Sequence, residues 1–296
     1  MLSFPYNAAM TAWLCLLAAL AFAQVPPATG GPAPLVPIAA ETPHMDAFAR
    51  DGAFRAKLLA PGRSDWFLIQ AASGDVLLVA QKGYLTAAQL TALARQVQAA
   101  DDAIPKWGGR RLIKSRYTLY VYDDTLDDDV TPISEADVPG AQHGERGVEL
   151  RFVKDGTAPL FHELTHLLVG GDGDSQSLSE GLADTSEDHF LPGHAHAFVL
   201  ANSDPDALCK AALAKYPQPF YAAVGAPGYS SWSGSMIRFD FYYCSWSFTR
   251  WLVAGASPEK VIAVLDDGAS DAAYQKQLGA PLALLRARWA RKLQGP

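Results

Sequence analysis

Residues 161–169 read Phe-His-Glu-Leu-Thr-His-Leu-Leu-Val. Phe161, Leu164, Leu167 and Leu168 put apolar side chains on nearly every face of the helix this stretch would form, so the helix has to be buried. It takes His162, Glu163 and His166 into the interior with it, and buried groups of this kind need partners. Any fold open to this chain must therefore bring polar groups from elsewhere in the sequence onto that helix. A surface helix with two solvated His and a solvated Glu is the plainer alternative, but it leaves the apolar residues unexplained. Thr157 is the expected N-cap, Pro159 falls in the first turn, and Gly170-Gly171 stop the helix.

Two His at i and i+4 project from one helix face about a turn apart, so both imidazoles can bind a single Zn²⁺. The Glu beside the first His can reach a water on that metal. Glu163 would then take the water's proton during attack on a carbonyl, which is hydrolytic chemistry. Two His leave a tetrahedral site one protein ligand short, with the last position open. Glu180, in Ser179-Glu180-Gly181-Leu182-Ala183-Asp184, competes for that role with Asp172, six residues after His166. Ser177-x-x-Glu180 also reads as a capping box, which would occupy Glu180 at its own helix end. Against that reading, Gly181 costs about 1 kcal/mol inside a helix, which makes sense where the backbone approaches another helix closely. Asp184, one turn on, is then placed to accept a hydrogen bond from a ligand His. Asp172 fits a metzincin-like spacing, but the turn that spacing needs would have Gly where Val169 stands. The residues favour Glu180. Met236 offers itself as a Met-turn, a role that packing explains as well.

The remainder of the chain supplies an ordinary globular core. Of 296 residues 49% are hydrophobic and 19% charged, and the formal charge is -7, a balance that repels a phosphate backbone and excludes nucleic acid as a partner. Residues 66–70 and 75–81 are β-favouring runs separated by Ala-Ala-Ser-Gly, a hairpin pattern. Residues 86–103 carry Leu90, Leu93, Ala94, Val97 and Ala100 at helical spacing, ended by the Pro105 and Gly108-Gly109 region. Residues 116–122 and 147–153 alternate as half-buried strands do. Between them runs an acidic loop with Asp123, Asp124, Asp127, Asp128 and Asp129, read as a solvated connection; a calcium site would need a loop pattern that is absent.

The amino end reads as an export signal. Residues 8–23 are apolar apart from Thr11, and Ala21-Phe22-Ala23 is a small-x-small cleavage site, so residues 1–23 are expected to be removed after Ala23. The run is shorter than the ~20 residues of a spanning helix, so no stable membrane association is expected after cleavage. Residues 24–44, rich in Pro and Gly, read as a linker, with the folded domain over 45–296. Export to a secreted or periplasmic location leaves Cys209 and Cys244 as the only thiols, free to bridge or to stay as buried side chains.

The pattern resembles the gluzincin metallopeptidases, the thermolysin-like and aminopeptidase-like group of the peptidase MA clan. The resemblance covers roughly residues 110–296. It rests on His162-Glu163-x-x-His166, on Ser179-Glu180-Gly181-Leu182-Ala183-Asp184, on residues 242–252 as a Tyr-bearing helix, and on Gln277-Leu278-Gly279 with Leu285 and Trp289. It implies zinc on His162, His166 and Glu180, Glu163 as catalytic base, and Asp184 behind a ligand His. It also implies an oxyanion donor, for which Tyr242 is the candidate, with Tyr243 and Tyr229 as alternatives. No Gly-x-Met-Glu-Asn-like segment is present, so an endopeptidase is expected rather than an aminopeptidase. His189, His194 and His196 are read as an exposed loop in preference to a second metal site.

The expected architecture is α+β and zincin-like. A strand and helix part (45–156) would form one wall and a mainly helical part (157–296) the other, with the zinc site in the cleft between them. A peptide or protein substrate would lie extended along an edge strand, expected at 147–153. The rival class is a non-catalytic zincin-like binding protein. A structural zinc site would favour a closed, Cys-rich set, and neither Cys lies near the motif. Oligomeric state, substrate identity and cleavage preference are not written in the sequence.

Overall fold

Part of the Pro-rich stretch is folded. Val36–Pro37 forms a short strand, β1, that pairs antiparallel with β2 (Ser64–Ala71), with Val36 opposite Leu68 and the Ile38 N–H donating to the Trp66 carbonyl at 3.0 Å. The domain therefore gathers residues from ahead of the expected boundary at 45. Pro37 is tolerated because β1 is the outermost strand, where a missing N–H costs the ladder least. The computed structural model describes residues 35–38, 57–60, 62–72, 74–123, 135–141, 144–170, 175–193, 204–215, 223–228 and 235–295. The export signal and its cleavage site lie outside them, as does the rest of the linker.

The hairpin forms as its pattern predicts: β2 pairs antiparallel with β3 (Gly74–Gln81), and Ala71 faces Gly74 across the turn. β3 is buried on both faces. Val76 and Leu78 point into the large core and Leu77 and Val79 into a smaller one on the opposite face, which is why its sequence is a continuous apolar run. From β3 the chain crosses through α1 (Ala87–Gly108) to the parallel strand β4 (Tyr117–Val121). Thr86 caps α1 in a capping box with Gln89, and Leu93, Ala94, Val97, Ala100 and Ile104 form its buried stripe.

α1 runs through Pro105 instead of stopping before it. A proline removes the N–H that would bond the carbonyl four residues back. That carbonyl belongs to Asp101, and the Arg111 guanidinium takes it at 2.8 Å while pairing with the Asp101 carboxylate, which also accepts the Tyr117 hydroxyl at 3.2 Å. With the stranded acceptor satisfied, the helix continues to Gly109, which closes it with φ +69°.

The described part is thus an α+β fold with a six-stranded mixed sheet. β5 (Glu135–Pro139) and β6 (Arg146–Leu150) complete the order β1-β2-β3-β4-β6-β5, in which β3, β4 and β6 are parallel and the remaining pairings antiparallel. This corrects the expected edge strand. The strand expected at 147–153 ends at Leu150 and lies inside the sheet, between β4 and β5. The outer strand on that side of the sheet is β5, within a region read as loop, because Glu-Ala-Asp-Val-Pro is too short and too polar to show a buried period.

From Leu160 onward the described elements are helical, as the sequence led us to expect: α2 (Leu160–Leu168), α3 (Gln176–Phe190), α4 (Pro205–Lys215), α5 (Ser235–Gly255), α6 (Pro258–Asp266), α7 (Asp271–Leu278) and α8 (Leu282–Gln294). α2 packs against α1, β5, β6 and α3, and α3 lies along α5. The buried Trp289 of α8 donates its indole N–H to Ser247 of α5 at 3.0 Å. Cys209 of α4 and Cys244 of α5 form a disulfide, so the two thiols bridge; the loop it closes spans 35 residues, worth about 4 kcal/mol in a chain-entropy account. No described helix is long and apolar enough to cross a membrane.

Candidate metal centre

α2 begins without a cap of its own. Pro159 holds the N-cap position and makes no side-chain cap bond, and Thr157, the expected cap, instead donates its N–H to the Phe152 carbonyl at 3.2 Å. The first turn is satisfied from a distance. The His162 N–H donates to Oε2 of Glu187, on α3, at 2.8 Å. At the other end Gly170 adopts φ +71° and returns its N–H to the Thr165 carbonyl at 3.1 Å.

α3 is capped by Ser175, whose hydroxyl accepts the Leu178 N–H. The Ser177 capping box therefore does not form. The Ser177 hydroxyl lies 2.9 Å from that of Ser245 on α5 and accepts the Gly225 N–H at 3.0 Å. Glu180 is left to face α2. Its Oε2 lies 3.2 Å from Nε2 of His162 and 3.6 Å from Nε2 of His166, and the two Nε2 atoms are 3.3 Å apart. Tetrahedral zinc with bonds of about 2.0–2.1 Å spaces its ligand atoms about 3.3–3.4 Å from one another. These three donors stand near that spacing, and among the described residues they form the group of His, Cys, Asp and Glu side chains that could hold a metal ion.

The opposite ring nitrogens are held from α3 as well. Nδ1 of His162 is 2.9 Å from Oδ1 of Asp184, and Nδ1 of His166 is 3.2 Å from the Ser179 hydroxyl. A carboxylate against Nδ1 favours a proton there and leaves Nε2 as the ring nitrogen that faces the shared point. Burial alone would lower the His162 pKa, but the hydrogen bond and charge of Asp184, with contributions from Glu180 and Glu163, hold it well above its ordinary value. Burial likewise opposes the Glu180 charge, and the bonds to His162 and His166 outweigh it, so its pKa falls far below the carboxylate range. Both directions describe a carboxylate held charged against the two imidazoles. His162 is buried, whereas the side chains of His166 and Glu180 keep 20% and 16% of their surface exposed, so the donor cluster is open on one side.

Gly181 has the reason its sequence position suggested. A Cβ there would collide with the Ser245 carbonyl oxygen and the Thr249 hydroxyl and stand 2.7 Å from the Ser245 carbonyl carbon. Since one of the obstacles is backbone, α3 and α5 would have to separate. Gly181→Ala, which would stabilise an ordinary exposed helix by about 1 kcal/mol, is expected here to destabilise by about 1–3 kcal/mol through overpacking. Thermal or denaturant unfolding measures this, and a raised melting temperature would contradict the close contact.

Tyr242 does not stand out as the oxyanion donor. Its side chain is 4% exposed, in a small core cluster with Phe241 and Ala223 against Leu213. Tyr243 is less buried. Its hydroxyl pKa is raised, first by burial and then by the charges of Asp240 and Asp184, which puts it within electrostatic reach of the site. His189, at the exposed end of α3, stacks near Trp107 with ring centres 6.1 Å apart. Asp172, His194, His196 and Tyr229 lie outside the described residues, as does residue 124 onward of the acidic loop up to 134. Sequence reasoning missed Ser179 and Glu187. The spacing 180, 184, 187 repeats on one helix face and was the available signal for Glu187; nothing marked Ser179 beyond its place beside Glu180.

No protein-family model, no curated protein and no solved structure matches the chain significantly.

Proposed function

We propose that the protein is an exported, zinc-dependent peptidase of the gluzincin type with a zincin-like fold, acting as an endopeptidase on peptide or protein substrates. The observation that carries this reading is the triangle of Nε2, Nε2 and Oε2 atoms of His162, His166 and Glu180, spaced as a tetrahedral ion spaces its ligands. Zinc held there supplies a Lewis acid and an acidified water. The chain does the rest. Glu163, beside the first ligand and only 6% exposed, accepts a proton from the attacking water and passes it to the leaving amine. Asp184 and Ser179 fix the two ring orientations. A tyrosine of α5 donates to the developing oxyanion, and Tyr243 fits that role better than Tyr242 because of its exposure and its electrostatic link to Asp184.

Three protein ligands with an open side favour a catalytic over a closed structural site. The outer strand β5, which packs on α2, is the natural rail for an extended substrate. The disulfide between Cys209 and Cys244 supports export, since such bridges persist in oxidising compartments. Removing zinc with a chelator is expected to abolish hydrolysis of a mixed peptide library, and one equivalent of zinc to restore it. A protein that binds zinc yet cleaves nothing in that library would belong to the non-catalytic class instead.

A further inference from the structure

We infer that Glu187 is a positioning residue for zinc: its carboxylate clasps the backbone of the first ligand and sets how α2 sits against α3. The inference rests on the zinc reading above and extends it to a residue outside the ligand set. Glu180, Asp184 and Glu187 follow one another at four and three residues, so all three carboxylates leave the same face of α3. That face meets His162 at three separate points. Glu180 Oε2 lies against its Nε2 at 3.2 Å, Asp184 Oδ1 against its Nδ1 at 2.9 Å, and Glu187 Oε2 against its backbone N–H at 2.8 Å.

The first two contacts orient the ring. The third holds the backbone that carries it against α3, at the N-terminal turn of α2; further along, the Thr165 hydroxyl bonds that of Ser186 at 2.7 Å. α2 has special need of such a clasp. It is nine residues long, its N-cap residue Pro159 makes no side-chain cap bond, and the donors of a helix's first turn have no partners within the helix. The Leu160 N–H turns back to the Ala158 carbonyl at 2.9 Å and the Glu163 N–H to the Pro159 carbonyl at 3.0 Å, while His162, between them in the chain, goes to Glu187. A negative group at a helix N-terminus is also favoured by the helix dipole. Glu187 is itself 3% exposed, so its bond is shielded from competing water. Glu163 sits one residue beyond the clasped N–H, so the same contact also holds the backbone that carries the proposed base.

The test is zinc affinity, read by competition with a chromophoric chelator, together with the visible absorption of the Co²⁺-substituted protein, for wild type, Glu187→Ala, Glu187→Asp and Glu187→Gln. Loss of a group that supports a metal ligand typically weakens metal binding by about 10- to 100-fold. Glu187→Ala is expected to show a loss in that range and an altered Co²⁺ spectrum. Glu187→Gln retains an oxygen at the same reach and is expected to stay within about fivefold of wild type, since it gives up the charge but keeps the acceptor. Should the alanine variant fail to fold, Glu187→Asp, which is one methylene too short, is expected to fold and to show the same kind of loss. A purely structural Glu187 would lower the melting temperature of these variants while leaving zinc affinity and the Co²⁺ spectrum of the folded protein as in wild type, and that result overturns the inference while leaving the zinc reading intact. Absence of zinc binding in wild type overturns the zinc reading itself and this inference with it.

Discussion

Glu163→Gln is expected to lower peptide hydrolysis by about 10²-fold or more while zinc content and melting temperature stay near wild type. The substitution is nearly isosteric and removes the base without touching His162, His166 or Glu180. Glu163 is buried, and its charge is among those that raise the His162 pKa, so the neutral amide also relieves part of the negative potential around that ring. The loss should fall on kcat, because proton transfer belongs to the transition state and not to substrate binding. Steady-state kinetics on one cleaved peptide decides it, and unchanged turnover removes Glu163 from the mechanism.

The second large effect concerns the ligands. His166→Ala and Glu180→Ala are each expected to lose stoichiometric zinc, since each removes one corner of a triangle that has no described substitute. Asp172→Ala is expected to keep it. Metal analysis of the purified variants separates the two ligand sets: zinc kept in Glu180→Ala and lost in Asp172→Ala would make the site metzincin-like.

What the sequence revealed and what it hid divide along the range of the interactions involved. The β2-β3 hairpin and α1 were legible because period and capping are local: Thr86 and Gln89 close α1 within three residues of each other. His162, Glu163 and His166 were legible for the same reason, as a helical turn sets their spacing. Glu180 became legible through Gly181, a residue that is costly in a helix and is explained by the contact with Ser245. What the sequence hid is long-range. α2 is capped by Glu187, 25 residues on, so the local candidate Thr157 was the wrong one. α1 passes Pro105 because Arg111, ten residues from Asp101, takes the stranded carbonyl. β5 exists because β6 pairs with it, and its own five residues carry no period to announce it. The disulfide joins two helices whose distance in space no spacing in the sequence records.

X-ray absorption at the zinc edge tests the central claim most directly, because it reads the donor atoms themselves. The purified protein is expected to carry about one zinc per chain with a first shell of nitrogen and oxygen only, at about 2.0–2.1 Å, and an outer-shell pattern from two imidazoles. Protein without bound zinc, or a first shell containing sulfur at about 2.3 Å, would contradict a site built from His162, His166 and Glu180.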